Sequence, residues 1–217
     1  MTYCVGMVLD AGMVFLADSR TNAGVDQVST FRKVKVFEKP GERVIVLLSA
    51  GNLALTQGAT SILAERMAAQ EGESLNLSTC PNMFEAVRLV GEALREMHAR
   101  DYDALKSQGV DFNPSFIVGG QIKGEAPRLF HVYAAGNFIE ATPDTPYFQI
   151  GESKYGKPII DRVTRRSMPL SEAAKCALIS MDSTIRSNLS VGPPLDLVIV
   201  RRDEWRVACH VDIDGEN

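Results

Sequence analysis

The sequence predicts a mixed α/β protein of the α+β kind. Its element order fits a four-layer αββα sandwich, two antiparallel sheets stacked together with helices on both outer faces. Three observations lead to the α+β class. Strand-like and helix-like runs alternate in blocks: strands, helices, strands, helices, strands. Adjacent strand runs are divided by short turn signals, as antiparallel hairpins require. The helical stretches repeat apolar residues at helical spacing on one face.

"YCVGMVL" (3–9) and "GMVFLADS" (12–19) are β-rich runs divided by "DAG", a tight hairpin signal. "FRKVKVFEK" (31–39) alternates Val34 and Val36 against Lys33 and Lys35, the pattern of a half-buried strand. Pro40-Gly41 turns it into "RVIVLLSAG" (43–51), a continuous apolar run suited to a strand buried on both faces. Helical periodicity then covers 52–69 and 82–107, the second opening at Pro81-Asn82 with Phe84, Val87, Leu94 and Met97 on one face. "PSFIVGGQI", "RLFHVYAAG", "NFIEAT" and "YFQIG" continue as a strand meander. A short helix is expected over 157–166, and Ser171 precedes a longer one with Ala174, Cys176 or Ala177, Met181 and Ile185 on one face. "PLDLVIVRR" and "WRVACHVDI" read as closing strands. No repeat or linker interrupts the run, so 1–217 reads as a single domain.

A chain of 217 residues, 45% of them hydrophobic, is long enough to bury one sizeable core. A formal charge of -4 gives no electrostatic reason to expect nucleic acid or an anionic membrane as partner. The densest basic group, Arg165-Arg166, is too short to make a patch. No apolar run approaches the ~18 residues of a membrane span, and residues 1–20 lack a signal-peptide pattern. Cys4, Cys80, Cys176 and Cys209 form no CxxC pair and read as reduced thiols of a cytoplasmic protein. His98, His131 and His210 have no neighbours at ligand spacing, so structural roles, no metal and no cofactor are expected. Glu85, Glu92 and Glu96 read as a solvated helix face, and Trp205 as packing at a strand edge.

The opening Met-Thr, set directly before a buried-looking strand, poses the functional question. Thr2 is small enough for methionine trimming, which would leave a hydroxyl and a free α-amine on one residue. Such an amine has a reference pKa of ~7.7–8.0 and can take a proton near neutrality. Nucleophile and base are then self-contained. With Asp10-Ala11-Gly12 as the turn, Leu9 pairs with Met13 and Thr2 lies opposite Arg20. Asp18 then sits diagonally across on the same face, roughly 7–8 Å away. That gap suits a long cationic side chain held by the Asp18 carboxylate, whose charge would lower the pKa of the amine and hydroxyl.

Thr2, "ADSRT" with Asp18 and Arg20, Lys33 in "RKVKVF", and "SAGNLALTQ" with Gly51 resemble the catalytic core of proteasome β-type subunits and the HslV protease. The opening "TYCVGMVLDAGMVFLADSRTNAG" most resembles the bacterial Anbu branch of that family. The likeness runs nearly the whole chain, through "VGG", "IGESKYGKP" and "LDLVIV". It implies the N-terminal nucleophile hydrolase fold and a threonine peptidase mechanism. Thr2 takes the nucleophile position and its α-amine the base. Asp18 takes the acid that orients the lysine, Lys33 that lysine, and Gly51 the backbone N–H donor to the oxyanion. Thr21, Asn22 and Ser49 take substrate-binding positions, with Thr21 or Asn22 pairing an extended peptide by strand addition. On this reading Lys33→Ala abolishes activity with little change in melting temperature.

The family pattern also has a serine and an Asp-x-x-Ser cluster near the threonine amine. Here Glu152 falls at or beside the serine position, followed by Ser153, and "SNLSVGPP" offers Asn188 and Ser190. The groups around the amine are thus altered, with Arg20 a further auxiliary candidate. The implied substrate is a peptide or unfolded polypeptide. The implied assembly is a homo-oligomer, a ring or an open spiral, built through helix surfaces bearing Met67, Leu89 and Tyr102. No motif identifies an ATPase partner. Two alternatives stand beside the peptidase: a weakly or non-catalytic scaffold particle of the same fold, and a small-molecule N-terminal nucleophile amidohydrolase.

Overall fold

In the computed structural model, residues 1–23, 27–69 and 75–214 are described. Tyr3–Leu9 (β1) and Gly12–Asp18 (β2) pair antiparallel, with Leu9 opposite Gly12 and Cys4 opposite Ala17. The expected register, Leu9 on Met13 and Thr2 on Arg20, is therefore out by one residue, and Asp10 and Ala11 alone make the turn. The cause is Gly12, which packs against Leu195–Arg201 (β11) so closely that a Cβ would stand 2.1 Å from the Val200 carbonyl oxygen. Its glycine serves a strand contact, whereas in sequence it reads as turn.

Two five-stranded antiparallel sheets form the centre. The first runs Tyr147–Gly151 (β10), β1, β2, β11, Val207–Ile213 (β12). The second runs Val34–Lys39 (β5), Arg43–Ala50 (β6), Ser115–Ile122 (β7), Arg128–Val132 (β8), Phe138–Glu140 (β9). Between them in sequence, Arg20–Ala23 (β3) and Gln27–Thr30 (β4) form a separate hairpin that the sequence reading missed. Strands of four residues are too short to display a period of two.

The alternation of strand side chains builds three apolar interfaces. Tyr3, Val5, Met7 and Leu9 face Lys157–Val163 (α3) and Leu170–Ser187 (α4). Cys4 and Val8 face inward, with Phe15 and Ala17, against Val44, Val46 and Leu48 of the second sheet. Ile45 and Leu47 face the opposite way, against Leu53–Ala68 (α1) and Met83–Ser107 (α2). Three interfaces make four layers, the expected αββα order. Each fully buried Leu or Val contributes roughly 1.5–3 kcal/mol.

The helices start where polar caps allow. Asn52 Oδ1 accepts from Ala54 N (3.0 Å) and Asn82 Oδ1 from Glu85 N (2.9 Å), each satisfying one orphan N–H of α1 and α2. Helix α3 stops at Val163, short of the expected 166, because Thr164 is already extended. Met83 and Ala86 take the core positions of α2's first turn, leaving Phe84 exposed against Phe138. Leu89 is buried in the core, so it offers nothing to a subunit contact; Tyr102 stays exposed. Trp205 lies in the turn before β12 at φ 47° rather than at a strand edge. Glu85 and Glu92 both pair with Arg88, and Glu96 with Arg66, on the polar face of α2.

Candidate active site

Asp18 closes β2 and is wholly buried, and Lys33, just before β5, is 5% exposed. Lys33 Nζ donates to Asp18 Oδ1 and to the Arg20 carbonyl, both at 2.7 Å. Asp18 Oδ1 also accepts from Tyr3 N at 2.9 Å, since the true register sets Asp18 beside Tyr3. Asp18 Oδ2 is buried and accepts no hydrogen bond of normal geometry among the described residues. Burial pushes the Asp18 carboxyl up, while the Lys33 charge and hydrogen bond pull it back. Two of the three ammonium donors are thus committed, and the lysine also lines the cleft that holds Thr2.

Two further contacts pin this pair. Ser19 Oγ donates to Asp196 Oδ2 at 3.2 Å, and the Arg32 guanidinium spans Asp196 and Asp212. His210 Nε2 sits 3.0 Å from Asp196 Oδ1. The residues next to Asp18 and next to Lys33 are therefore tied to one buried carboxylate. Sequence reasoning missed Arg32 and Asp196, because no local pattern links positions 164 apart.

Thr2 is largely buried, and its carbonyl accepts from Glu152 N at 2.7 Å. Its hydroxyl makes no hydrogen bond among the described residues and faces a cleft of about 730 Å³. Gly51 lines the same cleft, at the junction of β6 and α1, with φ 98°. A Cβ there would stand 2.1 Å from the Asn113 carbonyl oxygen, so position and conformation both demand glycine. The Asn52 N–H beside it is held by Asn113 Oδ1 (3.1 Å), while the Gly51 N–H has no partner among the described residues. Asn113, in a polar loop, is another wall residue without a sequence signal.

Of the expected substrate positions, Thr21 and Ser49 line the same cleft. Thr21 Oγ1 is buried without a hydrogen-bond partner among the described residues. Asn22 belongs to β3, and its side chain lies outside the described residues. Arg20 points away, donating from Nη1 to the Leu189 carbonyl at 2.8 Å; only its own carbonyl serves Lys33.

The auxiliary set divides. Glu152 Oε2 accepts from Asn188 Nδ2 (2.7 Å) and Oε1 from Lys154 N (2.9 Å). These bonds, the Lys154 N–H foremost, hold its carboxyl below the usual range. Asn188 Oδ1 accepts from Ser190 N at 3.0 Å, so Ser190 joins through its backbone. Ser153 is exposed and takes no part through its side chain. The group stands behind Thr2 and reaches it through the Glu152 N–H. The arrangement gathers a hydroxyl, a buried ammonium and a spare backbone N–H around one cleft, the parts that acyl transfer needs.

Among the described residues no His, Cys, Asp and Glu side chains are grouped to hold a metal, and no helix is long and apolar enough to cross a membrane. No curated protein sequence matches the chain. A profile described as proteasome subunit matches residues 2–200. Solved structures of high similarity include a Gly-1 mutant of Anbu from Hyphomicrobium sp. strain MC1, 53% identical, with TM-score 0.92 over 100% of this chain and 89% of that one. Anbu (ancestral beta-subunit) from Yersinia bercovieri is 56% identical, with TM-score 0.91 over 99% and 87%. The helical assembly of the Anbu complex from Pseudomonas aeruginosa is 49% identical, with TM-score 0.92 over 99% and 88%. Fold, family profile and full-length likeness agree: the chain belongs to the proteasome family, in its Anbu branch.

Proposed function

We propose that the chain is a subunit of a self-assembled threonine hydrolase that cleaves peptide bonds, with Thr2 as nucleophile once Met1 is removed. The carrying observation is the buried Lys33 ammonium, held by Asp18 and the Arg20 carbonyl on the wall of the cleft that contains Thr2 and Gly51. With Met1 attached, the Thr2 nitrogen is an amide and cannot act as a base. Removal makes it an amine of reference pKa ~7.7–8.0 beside a positive charge that favours its neutral form.

In the reaction, Thr2 Oγ1 bonds to the substrate carbonyl carbon as its proton passes to the amine. Charge gathers on the carbonyl oxygen, where the Gly51 N–H donates; one such donor is worth about 2.7–4 kcal/mol. Collapse breaks the C–N bond, the leaving nitrogen takes the proton, and water then hydrolyses the ester on Thr2. The substrate is a peptide or unfolded polypeptide, and the location cytoplasmic. An exposed nucleophile would cleave neighbours indiscriminately, which a particle that hides it prevents. The helical assembly of the Pseudomonas relative favours an open spiral of identical subunits over a closed ring.

A second reading, a scaffold particle with little turnover, is favoured by one observation. Glu152 and Asn188 are bonded to each other and to the backbone N–H groups of Lys154 and Ser190 where the family pattern has serine and aspartate, so both are committed away from the amine. Intact-mass analysis with a peptide epoxyketone separates the readings. The hydrolase gives a protein lacking Met1 that gains one inhibitor mass at Thr2, and Thr2→Ala gains none. Labelling that survives Thr2→Ala places the nucleophile elsewhere. A processed wild type that takes no label supports the scaffold, and a fully active monomer by light scattering supports the small-molecule amidohydrolase.

A further inference from the structure

The cleft has a side pocket of about 360 Å³, and the two share Phe31, Ser49, Leu53 and Thr56 as walls. Beyond those residues the pocket is polar: Lys35 on β5, then Gln57, Thr60 and Ser61 on α1. Two cations stand there in different states. Arg32 is spent on Asp196 and Asp212. The Lys35 ammonium makes no ion pair or hydrogen bond among the described residues, and the residue is exposed, in a chain of net charge -4.

Position fixes what Lys35 could reach. Ser49 N donates to the Lys33 carbonyl at 3.0 Å, so the β5–β6 ladder extends back to Lys33 and puts Lys33 and Lys35 on one strand face. Two residues of strand separate their Cα atoms by about 6.6 Å. Lys33 lines the main cleft with Thr2, and Lys35 lines the side pocket. An unpaired ammonium rimmed by amide and hydroxyl groups complements a carboxylate. It repels a cation and offers an aliphatic chain little apolar wall.

We infer that this side pocket selects substrates carrying aspartate or glutamate at the residue whose carbonyl is attacked, with Lys35 as the specificity-determining residue. The inference rests on the threonine-hydrolase reading above. A charge-assisted contact at a partly open site gives about fivefold to tenfold preference, screened by salt.

The test uses the full-length assembled protein and tripeptide epoxyketones that differ only in the residue next to the warhead: glutamate, leucine or lysine. Expected labelling rates at Thr2 run glutamate, leucine, lysine. The glutamate-to-lysine ratio collapses in Lys35→Met and inverts in Lys35→Glu. Labelling at Thr2 with no glutamate preference, or with one that survives Lys35→Glu, overturns the pocket and leaves the nucleophile standing. If no probe labels Thr2, the nucleophile reading fails by itself. The pocket is then judged by equilibrium binding of acetyl-Leu-Leu-Glu-amide against acetyl-Leu-Leu-Gln-amide. Tighter binding of the glutamyl peptide that Lys35→Met removes supports it, and equal binding overturns it.

Discussion

Replacing Lys33 by methionine removes the cation that, among the described residues, is paired with Asp18, and burial sets the cost of that loss. Asp18 is wholly enclosed and Lys33 is 5% exposed, so the change strands a carboxylate away from water. Losing one partner of such a pair costs about 3–5 kcal/mol. Proton chemistry sets a ceiling. The stranded group can always take a proton, and keeping a carboxyl of reference pKa ~3.9 neutral costs about 4 kcal/mol at pH 7 and about 1.5 kcal/mol at pH 5. The sign comes from linkage. Removing the ammonium raises the folded-state pKa of Asp18, and a raised carboxyl contributes stability that is present below the unfolded pKa and lost as pH rises through the folded one. The deficit of Lys33→Met relative to wild type therefore grows from pH 5 to pH 7. At about 2–4 °C per kcal/mol for a chain of this length, melting temperature falls by roughly 8–16 °C at pH 7 and 3–6 °C at pH 5. Thermal melts of both proteins at matched concentration read this directly, and the double variant Asp18→Asn/Lys33→Met recovers most of the loss. A deficit equal at the two pH values, or larger at pH 5, refutes the reasoning. The sequence-based expectation of an unchanged melting temperature is revised by the same burial.

Other expectations come from single sites. Gly51→Ala puts a methyl 2.1 Å from the Asn113 carbonyl at φ 98°, which costs at least about 1–2 kcal/mol and displaces the spare N–H. Hydrolysis should fall mainly in kcat, and an unchanged kcat removes Gly51 from the oxyanion role. Burial holds the His131 imidazole below its ordinary value, beside Ser115 Oγ at 2.8 Å. Its contribution is present above the unfolded pKa of ~6.5 and lost as pH falls through the folded value, so stability declines on acidification. His131→Phe should flatten that slope in urea unfolding at pH 7 and pH 5; an identical slope counts against it. Cys4, Cys80 and Cys176 are buried with thiols pushed up by burial, while Cys209 is exposed. A thiol reagent should modify Cys209 in the native protein and the others only on denaturation.

What the sequence made legible was periodic or contiguous. The long strands β1, β2, β6 and β7 and the helices α1 and α2 carry enough repeats to show their period, and each lies within a residue or two of expectation. The β3–β4 hairpin is too short for that. The β1–β2 register failed because Gly12 answers to a strand far along the chain, and glycine in sequence does not say whether it serves a turn or a close approach. At the site, Thr2 and Asp18 stood out from the residues themselves, Lys33 and Gly51 came from the family resemblance, and the structure brings Asp18 to Lys33, with Lys33, Thr2 and Gly51 on one cleft. Arg32, Asp196 and Asn113 came from neither, since their partners lie on other elements.

The same long-range ties explain why the site resists a purely local reading. Asp18 ends a strand of the first sheet, and Lys33 leads into the edge strand of the second, so their bond spans the two sheets beside the interface they share. Asp196, on β11, fastens Ser19 on one side of that bond and Arg32 on the other. A change in sheet packing therefore moves Asp18 and Lys33 relative to each other before it disturbs either strand. Positioning of the ammonium on the cleft that Thr2 also lines is a property of how the sandwich closes, and fold stability and the arrangement of the cleft depend on the same few contacts.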